Sequence, residues 1–570
     1  MVFLPIVERE LRVAARKRST VWFRVLAALI ALVIGAGFLT ITAAFGGSTS
    51  RSGGALFGTL TWMALACSLA VGLFFTADSL SEEKREGTLG FLFLTDLRGY
   101  DVVGGKLLAT SLRGSYALLA LFPVLALTLI MGGVTGLQFW KSALALVNAL
   151  FCSLAAGLFV SSFSRDSQRA MGGTLLLLLL VCAAGPIVDS IVTALGHTGF
   201  HSLLSRTSPV YVFWAASAWG RTDYWTGLLA THLIGWTWLS LACVLAPRAW
   251  QDRPRRFPSP KTSLSYSWRY GGVATRAARR RKLLEPNPVL WLVLRERWPW
   301  MVAWALVLLV LGTFVTISLT TASLVWMIWA RVSWLVMVVL YLWTASQATR
   351  FFVEARRSGM MELLVVTPLA GRDIVLGQWR ALVKLFALPV LLLLLVQLTG
   401  SLLAQQGTGL TVNAGAYAAS WDLDLNLLRV ALGGLTTLGN LVALVWFGMW
   451  MGLNSRNASL ATLKTLVFVQ VLPSLGITLA STLIAGLLIF GSGLRGVRAP
   501  NAVMLSFPMV LTGVSALLSL GKDAAFFFSA RKRLYSYFRL VAARQPATLS
   551  QSPAVPQKAS TPLPPVLPTT

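Results

Sequence analysis

Charge is what this sequence has least of. Only 12% of its residues are Asp, Glu, Lys or Arg, while 56% are hydrophobic. Soluble domains carry about 25% charged residues to cover a surface in water. A hydrocarbon-facing surface removes that need. Acids are scarcer still, 20 against 49 Lys and Arg. Cysteine is limited to Cys67, Cys152, Cys182 and Cys243, each inside an apolar block and none in a CxxC pair. That spacing indicates neither a zinc site nor a disulfide framework. His197 and His201 are four apart, but no neighbouring Cys or acid completes a ligand set, so no metal site is expected. No G-x(4)-GK-[ST] loop occurs; the nearest string, Gly104-Gly105-Lys106-Leu107, has the wrong spacing and no hydroxyl after the lysine. Nucleotide hydrolysis is therefore not assigned to this chain, no catalytic or cofactor-binding residue is read from it, and it is not expected to be an enzyme.

What is present is a series of long apolar blocks. A membrane-spanning helix needs roughly 20 mostly apolar residues. Such blocks fall near 21–45, 57–77, 112–132, 139–162, 170–191 and 224–246, and again near 299–320, 324–348, 381–403, 427–452, 461–488 and 502–520. The expected fold class is an all-α polytopic membrane protein with about 12 transmembrane helices. The run from Val21 is too long for a secretory h-region and reads as an uncleaved first span. If the N-terminus is cytoplasmic and the sides alternate, the inner segments hold 41 of the 49 Lys and Arg. Basic residues are retained on the cytoplasmic side, so both termini are expected there, in a multi-pass protein of the cell inner (plasma) membrane.

The expected domains are a cytoplasmic amphipathic entry helix (1–20), a six-helix unit (21–246), a basic linker with a second entry helix (247–298), a second six-helix unit (299–520) and a basic, then Pro-rich disordered tail (521–570). Arg279-Arg280-Arg281-Lys282 in the linker reads as a positive-inside segment touching anionic lipid, not as a nucleic-acid site.

Two loops on the expected cytoplasmic side repeat. Residues 82–105 and 354–377 align without a gap at an offset of 272, with ten of twenty-four positions identical. Among the pairs are Glu82/Glu354, Arg85/Arg357, Gly87/Gly359, Leu92/Leu364, Thr95/Thr367 and Gly105/Gly377. A shorter echo at offset 291 matches Ser164-Arg165-Asp166 with Ser455-Arg456-Asn457, and Gly157 with Gly448. The chain thus reads as a duplicated six-helix unit, a parallel repeat about the membrane normal. In each loop a charged cluster, with Glu82, Glu83 and Arg85 in the first copy, opens a short amphipathic stretch. Gly87 and Gly359 permit a sharp turn, and Thr95 and Thr367 stand where a cap starts the next helix. A rigid charged protrusion suits docking of a soluble partner; an interfacial anchor is the alternative.

At this motif the chain resembles the ABC-2-type ABC transporter permeases. Glu82, Gly87-Thr88-Leu89, Leu92, Leu94-Thr95 and Gly105-Lys106 resemble that family's E-x(4)-GT-[LIVM]-x(2)-L-x-x-T-P…GK signature, and the second copy keeps Glu354, Gly359, Glu362-Leu363-Leu364 and Thr367-Pro368-Leu369. The first copy has Asp96 for Pro; the second has Met360 for Thr and Gln378 for Lys. Asn287-Pro288-Val289-Leu290-Trp291 resembles the family's entry segment, and the outer stretch His197 to Arg221 its short outer helices. The resemblance implies two permease units fused in one chain, coupled to a separate ABC ATPase, a homodimer that binds the ATP. It implies export of a substrate that the sequence leaves unidentified; the reading of the basic linker gives no nucleic-acid partner. It assigns Glu82, Glu83, Arg85, Gly87, Thr95, Glu354, Arg357, Gly359 and Thr367 to ATPase coupling, and the second and fifth spans of each half to the substrate path. Arg331, a charge within a span, and Asp189, near the outer end of the fifth, are candidate path residues. The competing readings are a twelve-helix secondary transporter, disfavoured by the near absence of acids in the spans, and a non-transporting partner of an ABC ATPase.

Overall fold

The computed structural model describes residues 49–94, 97–164, 166–194, 203–217, 223–249, 280–319, 322–407, 416–455, 457–478 and 500–543, with single helical residues between 25 and 36 and between 480 and 484. Among these, every regular element is a helix, and ten are long and apolar enough to cross a bilayer. In hydrocarbon the backbone must satisfy its own hydrogen bonds, and a helix does so within one segment. The expected entry helix 1–20 lies outside the described residues.

The first half contains α1 (Thr49–Val71), which runs through a π-turn at Gly72–Thr76, then α2 (Ser79–Glu86), α3 (Thr88–Leu94), α4 (Gly99–Leu119), α5 (Phe122–Met131), α6 (Gly136–Phe163) and α7 (Ser167–Ala194). It continues with α8 (Leu203–Arg206), α9 (Pro209–Ser217) and α10 (Asp223–Ala249). The second half contains α11 (Pro288–Leu294), α12 (Trp298–Leu319), α13 (Ala322–Arg357), α14 (Met360–Val366), α15 (Gly371–Gly407), α16 (Ala416–Asn454), α17 (Ala458–Leu466) with a π-turn at Val467–Val471, and α18 (Pro500–Ala543).

Helix α6 is the axle of the first half. Its buried face is mostly Ala, Ser, Gly and Leu, which lets neighbours approach closely. A Cβ on Gly157 would lie 2.0 Å from Thr76 Oγ1, and one on Gly72 would lie 2.0 Å from the Ser153 carbonyl oxygen. The Thr76 hydroxyl donates to the carbonyls of Gly72 (2.8 Å) and Leu154 (3.2 Å), so the π-turn is held against α6. Helices α8 and α9 fold back against the bundle: Ser208 Oγ donates to the Cys182 carbonyl at 2.8 Å.

The two halves meet through the helices expected to line a path. Leu73, Phe74 and Met171 of the first half bury Leu342 of the second, with Leu463 and Leu466 beside them. Gln168 Nε2 donates to the Ser346 carbonyl at 3.2 Å, and the hydroxyls of Ser167 and Ser459 stand 3.5 Å apart.

The second half ends later than expected. The boundary at 520 falls inside α18, and Ala530, Leu534, Phe538 and Ala542 belong to that half's buried core. Helix α18 runs on to Ala543, so Lys522, Asp523 and Arg531 to Arg533 lie on the same helix as the expected last span. The expected span ends where charges begin; the helix continues past them, and Lys522 is met by Asn440 and by the Val469 carbonyl.

Candidate coupling site

The repeated segments lie at one end of the bundle, built alike. Helix α2 ends at Gly87, with φ 73°, and the turn after α13 ends at Gly359, with φ 72°. Both are left-handed, a conformation that costs a residue with a Cβ roughly 1–2 kcal/mol. Among the described residues no non-glycine adopts positive φ. Each glycine turns the chain into a seven-residue helix, α3 or α14.

Each short helix buries one face and exposes the other. Leu89 and Met361, equivalent at the offset of 272, are 1% and 2% exposed. Phe91 and Leu94 are both 72% exposed, and their equivalents Leu363 and Val366 are 71% and 86% exposed. Two repeat-related apolar pairs, spaced i,i+3 on one helical face, therefore point outward. The sequence reading singled out the charges instead. The apolar pairs were legible as hydrophobic at both copies, but which face they occupied depends on what the opposite face packs against.

The charges of the motif mostly hold the segments in place. Arg85 makes two bonds to the Asp78 carboxylate, at 2.9 and 3.0 Å. Glu83 pairs with Lys106 at 2.6 Å, which explains the Gly-Lys that leads into the next span. In the second copy both partners differ together: Ala355 stands at the position of Glu83 and Gln378 at that of Lys106. The Gln378 amide turns to the Ala348 carbonyl, 2.9 Å away. A second exchange involves Asp78, whose equivalent is Arg350. Arg350 pairs with Glu354 (3.0 Å) and with Glu296 of the entry segment (3.3 Å). Arg357 thus has no acid at the position that serves Arg85. It reaches Asn457 Oδ1 at 2.6 Å and, across the two halves, Glu82 Oε1 at 3.4 Å.

Other expected site residues divide. Thr367 closes α14 rather than opening the next helix: its hydroxyl donates back to the Leu364 carbonyl at 2.6 Å. In the first half the next helix begins with Asp101 Oδ2 accepting from the Arg98 backbone N–H at 2.9 Å. Thr95 lies outside the described residues. Arg331 lies in α13, where only its backbone is described, far along the helix from the coupling end. Asp189 is buried near the end of α7 and joins neither repeated segment. His197 and His201 lie outside the described residues; among those described, no group of three His, Cys, Asp or Glu is placed to hold a metal. Asn287 caps α11 through Val289 N–H (2.8 Å) and donates to the Asp373 carbonyl (2.9 Å), locking the second entry segment to the second coupling segment.

One cluster was missed by sequence reasoning. Lys522 of α18 donates to Asn440 Oδ1 (2.6 Å) and to the Val469 carbonyl in the second π-turn (3.1 Å), and lies 2.8 Å from Asp523. Asp523 is 4% exposed. A π-turn shifts the helical hydrogen-bond ladder, leaving a carbonyl for such a donor.

Comparison with known families decides the kinship of the first half. Residues 4–245 match the family model described as ABC-2 family transporter protein. This half belongs to the ABC-2-type permeases. The chain accordingly carries an ABC-2-type permease domain over residues 4–245, within a multi-pass membrane protein. The match ends at residue 245. No curated protein matches the chain.

Proposed function

We propose that the chain is the transmembrane subunit of an ABC-2-type exporter, driven from the cytoplasmic face by a separate ATPase dimer. The observation that carries this reading is the pair of left-handed glycines, each followed by a helix that presents an apolar pair outward: Phe91 with Leu94, and Leu363 with Val366. Two equivalent platforms fit two copies of one partner. In this reading ATP is bound and hydrolysed by the partner, both termini are cytoplasmic in the inner membrane, and the substrate moves between α1, α7, α13 and α17. The apolar contact of Leu73, Phe74 and Met171 with Leu342 closes that route at the coupling end.

The test is co-purification of the chain with its ATPase from native membranes, comparing the wild type with Phe91→Asp plus Leu363→Asp and with Glu82→Lys plus Glu354→Lys. The apolar variants are expected to lose the ATPase while keeping their unfolding temperature, because both side chains are exposed. An unchanged complex with unchanged ATPase activity would overturn the reading. The buried Lys522–Asp523 pair is the one observation favouring a secondary transporter. Substrate movement sustained by an ion gradient, without ATP, would decide for that alternative.

A further inference from the structure

Helix α18 carries a basic and aromatic cluster that the coupling reading does not use. The guanidiniums of Arg372, at the start of α15, and Arg531, on α18, each stand 5.5 Å from the ring centroid of Tyr535. Arg531 also stands 5.8 Å from Phe527, and Arg533 stands 5.9 Å from Trp450 on α16. Among the described residues none of these three arginines has an ion-pair partner; Asp373, next to Arg372 in sequence, does not pair with it. Several cations gathered on aromatic rings without a carboxylate leave their donors available to an anion.

The first half has no counterpart. Gly99 approaches Pro247 and Cys243 where its equivalent Gly371 approaches Phe538, so the offset of 291 holds spatially between α10 and α18. At that offset Arg531, Arg533 and Tyr535 correspond to Ser240, Ala242 and Val244, and at the offset of 272 Arg372 corresponds to Tyr100. The cluster is a property of the second half alone. A general excess of positive charge on one side does not account for it.

Its surroundings identify the kind of anion. Exposed Phe528 precedes the arginines on α18, and exposed Tyr537 and Leu540 follow them. Apolar side chains exposed on both sides of a cationic turn suit a helix lying against lipid, with guanidiniums reaching the headgroup layer. Arg539, one turn beyond Tyr535, donates to the Leu369 carbonyl at 3.2 Å, in the chain just after α14. Whatever occupies the cluster thus bears on the second coupling segment.

We propose that Arg372 and Arg531, which share the ring of Tyr535, bind the phosphate of an anionic phospholipid headgroup, and that this occupancy steadies the second coupling segment but not the first. The lipid-facing placement rests on the orientation proposed above; the binding measurement does not involve the ATPase, so the two readings fail separately. The probe is the purified full chain in mixed phosphatidylglycerol and phosphatidylcholine, with retained lipids read by native mass spectrometry. The wild type should retain phosphatidylglycerol preferentially. Arg372→Gln and Arg531→Gln should each lower that preference about five-fold. Arg531→Lys should keep most of it, and Arg280→Gln plus Arg281→Gln in the linker should leave it intact. All these arginines have exposed or half-exposed side chains, and an unchanged unfolding temperature certifies the fold. Equal retention in the Gln variants and the wild type would overturn the proposal. So would displacement of the lipid by millimolar inorganic phosphate, which would make the site one for free phosphate. Loss of the ATPase with lipid retention unchanged would overturn it in favour of a protein contact.

Discussion

Arg357 of the second half lies 3.4 Å from Glu82 of the first, joining two segments 275 residues apart. The symmetry-related pair is absent: Arg85 binds Asp78, and Glu354 binds Arg350. One reversal of charge, Asp78 to Arg350, accounts for the difference. The two coupling segments are therefore tied by the Arg357–Glu82 cross-link.

That cross-link predicts a coupling that is small in stability and visible in activity. Both side chains are about one-third exposed, so a double-mutant cycle on Glu82→Arg and Arg357→Glu should give about 0.5 kcal/mol of interaction. Each single change should lower stimulated ATPase activity of the complex, and the charge-swapped double should regain most of it. A double that adds the two single losses would show that the pair does not act as a unit.

The exchanged pair Glu83–Lys106 predicts that the second half's residues can be transplanted. Glu83→Ala alone leaves a half-buried ammonium, and Lys106→Gln alone leaves a half-buried carboxylate; either should cost about 1–3 kcal/mol. The double Glu83→Ala plus Lys106→Gln should be milder than the sum, because neither charge remains. Thermal unfolding in detergent measures this.

The left-handed glycines predict a backbone cost. Gly87→Ala or Gly359→Ala should each destabilise by roughly 1 kcal/mol, although nothing lies within 4 Å of either added Cβ. Asn at the same positions should cost less, since Asn tolerates this region better. Equal effects of Ala and Asn would argue against a conformational origin.

The Lys522 cluster predicts a strong asymmetry between single and double changes. Lys522→Met leaves Asp523 buried without a cation and should cost about 3–5 kcal/mol. Lys522→Met with Asp523→Leu should recover most of that loss, read as unfolding temperature and as yield in the membrane fraction. Failure of the double to recover would mean that the pair is needed for more than its own neutralisation.

How much the sequence determined follows from which signals are one-dimensional. Hydropathy blocks, scarcity of charge and the offset of 272 are properties of order along the chain, and they suffice for an all-α membrane protein and for a repeated loop. Gly87 and Gly359 were legible as turns because only a residue without a Cβ adopts that backbone freely. Tertiary structure alone decided the rest. Whether Arg85 or Arg357 crosses between the halves depends on a residue seven positions earlier in each copy and on what the other half brings near. Whether Phe91 and Leu363 face outward depends on the packing of Leu89 and Met361. Helix α18 carries Lys522 where Asn440 and the Val469 carbonyl receive it, and Arg531 where it rests on the ring of Tyr535. Partner identity for a charge is a three-dimensional fact: the sequence records that a cation is present, and the fold determines what neutralises it.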